Sequence, residues 1–305
     1  MATQEPSLNL SKMQLSDSIK FVIQQKLSEH FPNVHSFQFY PVGGGSINNC
    51  YSISFGDKNV FCKINSSSRF PRLFQKEKAG LELIAKGGII KTPKVIDCFE
   101  QNDAQVLLLE WIESGERTSA FWKTFGEQLA AVHQASADYF GLKEDNYMGS
   151  VTQSNYQRES WTEFLVKERI RPIVKLCFDG KLLSKAHLLQ FEKLEQKLSS
   201  LFEEQKPSLL HGDLWSGNFM CSQAGEAVLI DPAVYYGHRS MDLAMTTLFG
   251  GFQQSFYEAY NHHFPLPKNY EEQWSVCNLY PLLIHLHLFG SSYLPQIERT
   301  LQQFA

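Results

Sequence analysis

The chain has 305 residues, of which 43% are hydrophobic and 20% are charged, and its formal net charge is −4. This balance excludes a mainly disordered protein, because disorder requires low hydrophobicity combined with a high net charge. A slightly acidic chain also lacks the positive field that non-specific nucleic-acid binding uses, and it has no polybasic tail for an anionic membrane. We therefore expect a globular protein that binds neither nucleic acid nor a membrane.

The sequence shows no targeting or membrane-spanning pattern. No apolar run approaches the roughly 20 residues that cross a bilayer, and the first residues form no apolar signal core. The six cysteines form no C-x-x-C pair and have no zinc-ligand spacing. These features predict a cytoplasmic protein whose cysteines are mostly reduced thiols.

The first third of the chain predicts a small antiparallel sheet. After a helix predicted over 16–30, apolar residues alternate in three successive segments separated by a glycine-rich turn and a short turn. Such alternation is typical of a strand meander. A further helix is predicted over 72–86, and two further strands are predicted over 94–100 and 105–111.

The rest of the chain predicts mostly helices, with a strand-rich segment over 209–231. The predicted helices cover 119–137, 159–177, 184–203, 240–249, 253–262, 270–290 and 294–303. The pattern therefore indicates an α+β protein with two lobes. A small antiparallel-sheet lobe is predicted over 1–112, and a larger, mainly helical lobe over 113–305.

The most informative stretch is His211-Gly212-Asp213, followed by Asn218 and, thirteen residues after that, by Asp231. The pattern H-x-D-x-x-x-x-N, with a later Asp, is typical of protein-kinase-like phosphotransferases. In such a site Asp213 orients the acceptor hydroxyl and takes its proton, while Asn218 and Asp231 supply the oxygen ligands that Mg²⁺ requires. Each short motif alone is compatible with an ordinary turn. Their spacing together predicts nucleotide-dependent phosphotransfer.

The N-terminal lobe contains residues suited to binding the phosphates of ATP. Lys63 lies on the third predicted strand, on the face opposite its apolar residues, and Glu77 lies on the following helix. We predict that Lys63 pairs with Glu77 and with the α- and β-phosphates; the alternatives are a solvated lysine and an exposed helix acid. The glycine-rich turn is either a phosphate-binding loop or a simple hairpin turn. Its residues are Gly43, Gly44, Gly45 and Ser46.

The last predicted strand of this lobe leads into a connector formed by Glu110, Trp111 and Ile112. We predict that this segment borders the adenine, with the backbone of Glu110 and Ile112 bonding its edge. A buried strand that ends in a turn is the alternative, and both descriptions can hold together.

Two aromatic residues near the motif are candidates for contact with the acceptor. Trp215, two residues after Asp213, either forms a flat wall against a sugar or packs the catalytic loop. His238 either bonds the substrate or braces the loop that follows Asp231. We assign Asp242 a structural role, in which it holds the backbone of the catalytic loop.

The sequence lacks the H-R-D, D-F-G and A-P-E motifs of protein kinases, which favours a small-molecule kinase similar to aminoglycoside and choline kinases. Five segments resemble more closely the fructosamine kinase (ketosamine-3-kinase) family. They are HGDLWSGN at 211–218, IDPA at 230–233, YGH at 236–238, DLAM at 242–245 and FGGF at 249–252. The FQKE segment at 74–77, with Gln153, Asn155 and Trp161, extends the resemblance over nearly the whole chain.

The resemblance implies ATP-dependent phosphorylation of the 3-hydroxyl group of a ketose joined to an amine. Such adducts arise by glycation, so the implied cellular role is deglycation of small amines or proteins. A kinase for another small amine or an aminoglycoside is the alternative within the enzymes. A catalytically inactive binding protein is disfavoured, because Lys63, Asp213, Asn218 and Asp231 are all present. The sequence leaves a monomer and a homodimer both open.

Overall fold

The computed structural model describes residues 15–32, 34, 36–43 and 47–304. The chain divides into two compact units. Of the described residues, the first unit contains those up to Ala79 together with Pro93–Ile112, and the second contains Gly80–Thr92 together with those from Glu113 onward. Residues 80–92, which the sequence placed in the first lobe, therefore belong to the second unit.

The first unit is built on a five-stranded sheet with the strand order β1-β2-β3-β5-β4, in which all neighbours are antiparallel. Its strands match the sequence prediction to within a few residues. They are β1 (Gln38–Val42), β2 (Asn49–Phe55), β3 (Lys58–Ser66), β4 (Val95–Gln101) and β5 (Ala104–Glu110).

Helix α1 (Asp17–His30) covers the apolar face of this sheet. Its first turn is capped by the Ser16 hydroxyl, which accepts a hydrogen bond from the backbone N–H of Ile19. The buried residues of α1 pack in one cluster with Val60, Cys62 and Ile64 of β3. Since side chains alternate along a strand, this burial leaves Lys63 on the opposite face.

Helix α2 (Leu73–Ala85) carries Glu77 and continues from the first unit into the second. The segment after Ala79 belongs to the second unit because Ile84 and Ile90 are buried in the same core cluster as Leu229. In addition, the backbone N–H of Leu229 donates to the carbonyl of Lys91. Hydrophobic periodicity alone does not reveal such a partner.

The second unit is mainly helical, and its strands pair into two-stranded sheets, each three residues long. Strand β8 pairs with β11, β9 with β10, and β6 with β7, all antiparallel. The strands are β6 (Asn146–Met148), β7 (Val151–Gln153), β8 (Ser208–Leu210), β9 (Phe219–Cys221), β10 (Ala227–Leu229) and β11 (Tyr235–Gly237). Sequence analysis missed β6, β7 and β11, because three residues are too few to show alternation.

Three of the predicted long helices are interrupted. A π-helical segment (Leu165–Ile170) lies between α4 and α5, and short breaks separate α6 from α7 and α10 from α11. The other predicted helices are found where expected. The helices are α3 (Ser119–His133), α4 (Trp161–Phe164), α5 (Arg171–Asp179), α6 (Lys185–Glu195), α7 (Leu198–Leu201), α8 (Ser240–Leu248), α9 (Gln254–His263), α10 (Tyr270–Cys277), α11 (Leu279–Phe289) and α12 (Leu294–Gln303).

The core of the second unit fixes the segment that carries the candidate catalytic residues. Leu210, Leu214, Phe219 and Leu229 are at most 2% exposed, so apolar side chains alternate with the polar motif residues along this segment. Each buried side chain of this size contributes about 1.5–3 kcal/mol. Within the described part of the chain, no helix is both long enough and apolar enough to cross a membrane.

Candidate active site

Lys63 and Glu77 form a buried ion pair in the first unit. The Nζ atom of Lys63 lies 2.7 Å from Oε1 of Glu77, and the two side chains are 2% and 9% exposed. A solvated lysine and an exposed helix acid are therefore both excluded. Breaking a buried ion pair costs about 3–5 kcal/mol. The pair therefore keeps the side chains of Lys63 and Glu77 in fixed positions.

Two buried amides position the segments around this pair. Gln105 of β5 accepts a hydrogen bond from the backbone N–H of Phe74 (3.1 Å) and donates one to the carbonyl of Phe70 (2.7 Å), which fixes the start of α2. Asn65, two residues after Lys63, donates to Oδ1 of Asn48 (2.7 Å). The sheet thus holds both the helix with Glu77 and the chain entering β2. Sequence analysis singled out neither amide.

The glycine-rich turn is described only at its first residue. Gly43 is exposed, and a Cβ atom added to it would meet nothing within 4 Å. Gly44, Gly45 and Ser46 lie outside the described residues. A phosphate-binding role for this turn stays a prediction.

The predicted connector follows the end of β5. The side chain and the backbone N–H of Glu110 are both hydrogen-bonded to the backbone of Lys94. The ring of Trp111 lies 6.3 Å from that of Phe61, and Ile112 is half-buried. The backbone N–H of Glu110 is therefore engaged, whereas Ile112 makes no backbone–backbone hydrogen bond to another described residue. Adenine binding here stays a prediction.

Asp213 and Asn218 form one hydrogen-bonded unit in the loop after β8. The Nδ2 atom of Asn218 donates to the backbone carbonyl of Asp213 (2.8 Å) and to its carboxylate Oδ2 (2.9 Å). This bond fixes the orientation of both side chains. It also turns the amide oxygen of Asn218 away from Asp213, as a metal ligand requires.

Asp242, at the start of α8, holds the backbone of the same loop. Its two carboxylate oxygens accept hydrogen bonds from the backbone N–H groups of His211 (2.7 Å) and Gly212 (2.8 Å). Nε2 of His133 lies 3.2 Å from Asp242 Oδ2. The structural role predicted for Asp242 is therefore confirmed. Gly212 has φ +83°, and a Cβ there would lie 2.1 Å from the carbonyl oxygen of Ala233, so only glycine fits.

Asp231 follows β10 and is joined to the catalytic loop through its neighbour. The backbone N–H of Ile230 donates to the carbonyl of Asn218 (3.0 Å), and its carbonyl lies 2.9 Å from Nε2 of His211. Asp231 itself has φ +54°, a left-handed conformation that Asp tolerates better than most residues. Two hydrogen bonds thus keep the segments with Asn218 and Asp231 together.

The donor set suits a cation that also binds phosphates. Asn218 and Asp231 offer amide and carboxylate oxygens, which are the hard donors that Mg²⁺ prefers. Across the residues that the structure describes, no group of three or more His, Cys, Asp or Glu side chains is arranged to hold a metal.

The environment of Asp213 brings the pKa of its carboxyl group close to neutral pH. Burial raises the pKa of Asp213 to about 7; the negative charges of Asp231 and Asp242 add to the rise, while the hydrogen bond from Asn218 opposes it. A general base works best when its pKa lies near the working pH. The loop therefore favours Asp213 as the group that accepts a proton.

A series of hydrogen-bonded side chains that the sequence analysis did not predict supports the backbone after Asp231. The hydroxyl of Tyr280 donates to Gln153 Oε1 (3.1 Å), and Nε2 of Gln153 donates to the carbonyl of Ala233 (3.1 Å) and to Asn146 Oδ1 (2.8 Å). Asn146 in turn donates to the carbonyl of Val234 (2.8 Å). These residues come from the β6–β7 hairpin and from α11, and only Gln153 had any sequence signal, through the family resemblance.

The two predicted acceptor-binding residues have different surroundings. Trp215 is 36% exposed, and its backbone N–H donates to the carbonyl of Asp213 (3.2 Å). His238 is only 2% exposed, its Nδ1 accepts from the N–H of Ser240, and the rings of Trp161 and Phe202 pack against it. Burial lowers the pKa of His238 to about 3, so the ring is neutral. These surroundings argue against substrate contact by His238 and favour the bracing role.

Comparison with known proteins identifies the same family that the motifs suggested. The family model described as "Fructosamine kinase" matches residues 17–305. A "Probable ketoamine kinase" of Lactiplantibacillus plantarum is 38% identical over 269 residues, which cover 88% of this chain and 94% of that protein. The "Ketosamine-3-kinase" of Mus musculus is 32% identical over 279 residues, covering 82% of this chain and 89% of that protein.

A solved structure shares the whole fold. The crystal structure of a "Putative fructosamine-3-kinase" from Haemophilus somnus 129PT superposes with a TM-score of 0.84 at 29% identity, covering 92% of this chain and 96% of that one. The predicted α+β, protein-kinase-like fold is thus confirmed, as is the predicted kinase activity with ATP as the phosphoryl donor.

Proposed function

The chain belongs to the fructosamine kinase family, and we propose that it transfers the γ-phosphoryl group of ATP to the 3-hydroxyl group of a ketosamine. The observation that carries this proposal is the unit of Asp213 and Asn218, held by Asp242 and linked to Asp231 through Ile230. It combines a base with a pKa near neutrality and two oxygen ligands for a metal. The name of the mouse relative supports the ketosamine acceptor and the 3-position.

In this proposal Asp213 orients the acceptor hydroxyl and accepts its proton as the oxygen attacks phosphorus. The bond between the γ-phosphorus and the bridging oxygen breaks, and ADP leaves with that electron pair. Asn218 keeps the carboxylate of Asp213 in one rotamer, and Asp242 keeps the loop backbone in place. Positioning of this kind is the main contribution that a protein makes to phosphoryl transfer.

The nucleotide and its metal have separate residues in this scheme. Asn218 and Asp231 would hold Mg²⁺, which supplies neutralisation of phosphate charge when it is bound. Lys63, fixed by Glu77, would bind the α- and β-phosphates, and Gly43–Ser46 would contribute backbone N–H groups. Glu110, Trp111 and Ile112 would border the adenine.

The acceptor side rests on Trp215, whose exposed ring offers a flat surface to the C–H face of a sugar. Ketosamines form when sugars react with amines, so the cellular role of this activity is deglycation of free amines or of proteins.

A substrate panel tests the proposal. ADP release is measured with a fructosyl-amine, an aminoglycoside, choline and a free ketose, each with ATP and Mg²⁺. We expect turnover with the fructosyl-amine to exceed that with every other acceptor. Preference for the aminoglycoside or choline would establish the alternative amine kinase, and absence of turnover with all acceptors would indicate an inactive binding protein.

A further inference from the structure

Exposed aromatic side chains continue from the catalytic loop across the surface of the second unit. The Trp215 and Phe249 rings meet edge to face at 5.7 Å, and Phe249 lies 5.0 Å from the ring of His285. His285 lies 5.4 Å from Phe289, at the end of α11. We call these four residues the aromatic row. Trp215, Phe249 and Phe289 are 36%, 40% and 51% exposed, and the half-buried ring of His285 joins the last two. Exposed apolar patches of this kind mark binding surfaces.

Two glycines fix the first part of the row to the catalytic loop. A Cβ on Gly217 would lie 2.3 Å from Cη2 of Trp215, so the Trp215 ring rests directly on the backbone of its own loop. A Cβ on Gly251 would lie 2.6 Å from Cβ of Ser216, so the segment that carries Phe249 also packs on that loop. The start of the row is therefore held in a fixed position next to Asp213.

The third member of the row offers a hydrogen-bond acceptor. Nδ1 of His285 lies 2.7 Å from the carbonyl oxygen of Pro281 and donates its proton to it, which leaves Nε2 as the acceptor of a neutral ring. Burial lowers the pKa of His285, which keeps this ring neutral. The row thus combines aromatic faces with one neutral acceptor, and none of its four members is charged.

A ketosamine carries its substituent on the amine nitrogen at carbon 1, and this secondary amine is cationic at neutral pH. Aromatic faces attract both cations and apolar chains, and the imidazole acceptor suits an ammonium N–H. With the sugar at Asp213, as the proposed function requires, the substituent must extend away from the catalytic loop. The aromatic row is an exposed apolar surface that begins at that loop.

We propose that the aromatic row binds the amine substituent of the ketosamine and selects alkyl and aryl substituents over short anionic ones. This inference rests on the proposed function, because it assigns a binding surface to the part of the same substrate that the catalytic loop does not contact. Burial of methylene groups on such a surface favours binding. An apolar substituent of several carbons is therefore expected to raise kcat/KM on the order of tenfold.

The test compares fructosyl adducts of methylamine, butylamine, benzylamine and glycine. We expect wild type to prefer the butyl and benzyl adducts to the methyl and glycine adducts. Phe289→Ala and Phe249→Leu should lower the benzyl-to-methyl ratio of kcat/KM several-fold. Tyr139→Ala is the matched control, since Tyr139 is an exposed aromatic residue (44%) outside the row, and it should keep the wild-type ratio. The Tm of each variant shows that it is folded.

The outcomes separate the two claims. If wild type phosphorylates no adduct, the proposed function fails and this inference fails with it. If all adducts are phosphorylated but the benzyl-to-methyl ratio is close to one, or is the same in Phe289→Ala, the inference alone is wrong. A change in oligomeric mass in Phe289→Ala with an unchanged ratio would show that the row is a surface for self-association and would also overturn the inference.

Discussion

Nδ2 of Asn218 donates to both the backbone carbonyl and the carboxylate of Asp213, at 2.8 and 2.9 Å. One amide thereby ties the candidate base to the candidate metal ligand. The same carboxylate is half-buried near Asp231 and Asp242, so its charge is disfavoured in the absence of a cation. Asp213 is therefore held rigidly while remaining able to take up a proton.

Replacement of the proposed base gives the first prediction. Asp213→Asn keeps the shape of the side chain and an oxygen that accepts from Asn218, but it removes the basic group. We expect kcat to fall by about 10²–10⁴-fold, the usual contribution of general base catalysis. ATP binding, measured by calorimetry, should stay within about threefold of wild type.

Stability supplies the control for this variant. Because folding raises the pKa of Asp213 above its value in the unfolded chain, ionisation favours the unfolded state as the pH rises from about 4 to about 7. Asp213→Asn should therefore match or exceed the Tm of wild type at pH 8, and any advantage should shrink towards pH 4. A normal kcat in the folded variant would exclude Asp213 as the base.

The pH dependence of the free enzyme gives the second prediction. The base is active when deprotonated, and its pKa is raised to about 7. We expect kcat/KM for the ketosamine to rise with pH and to level off above about 7, falling about tenfold per pH unit well below that value. A profile that is flat between pH 5 and pH 8, recorded with the Mg²⁺–ATP complex well below its KM so that the rate reports the free enzyme, would contradict this assignment.

The sequence predicted the residues of the catalytic loop more completely than the distant residues that hold the site in place. The H-x-D-x-x-x-x-N spacing identified Asp213 and Asn218 because local backbone geometry within eight residues brings them together. The positions of Lys63 on a strand and Glu77 on the following helix also favoured their pairing, which the structure contains. Gln105 and Asn146 act over long sequence separations, and a polar residue inside a strand gives no sign of the distant backbone that it bonds.

The burial of His238 could not be predicted from the sequence. His238 lies in the YGH segment of the family resemblance, which made substrate contact a reasonable hypothesis. Its burial depends on Trp161 and Phe202, which come from a helix about 77 residues earlier and from a loop about 36 residues earlier in the chain. Hydrophobic patterns predict which face of an element is buried, but they do not predict which distant rings enclose a polar side chain.

The proposed metal ligand after β10, Asp231, gives the third prediction. Asp231→Asn removes a negative charge while keeping a residue that tolerates the left-handed backbone at φ +54°. We expect the variant to lose most of the Mg²⁺-dependent gain in nucleotide affinity. The measurement titrates ATP with Mg²⁺ and with EDTA. Asp138→Asn is the control, because Asp138 is an exposed acid outside the motif and should keep the wild-type metal dependence.

The buried ion pair gives the fourth prediction. Lys63→Met or Glu77→Gln alone breaks the buried ion pair by removing one of its two charges, and each should lower the free energy of unfolding by about 3–5 kcal/mol. The double variant Lys63→Met/Glu77→Leu removes both charges and should recover part of that loss. Denaturant unfolding measures both effects.

ATP binding distinguishes a functional lysine from a structural one. If Lys63 binds phosphates, the double variant should regain stability but not ATP affinity. Recovery of both would show that the pair acts only on stability, and strictly additive losses of stability would show that the two side chains are not coupled.

The most direct measurement is the position of phosphorylation in the product. A fructosyl-amine labelled with ¹³C in the sugar is incubated with ATP and Mg²⁺, and ³¹P–¹³C couplings are recorded by NMR for wild type and for Asp213→Asn. We predict phosphate on the 3-oxygen, with coupling to carbons 2, 3 and 4, and almost no product from the variant. Phosphate at another position, or an equal yield of 3-phosphate from Asp213→Asn, would contradict the proposal.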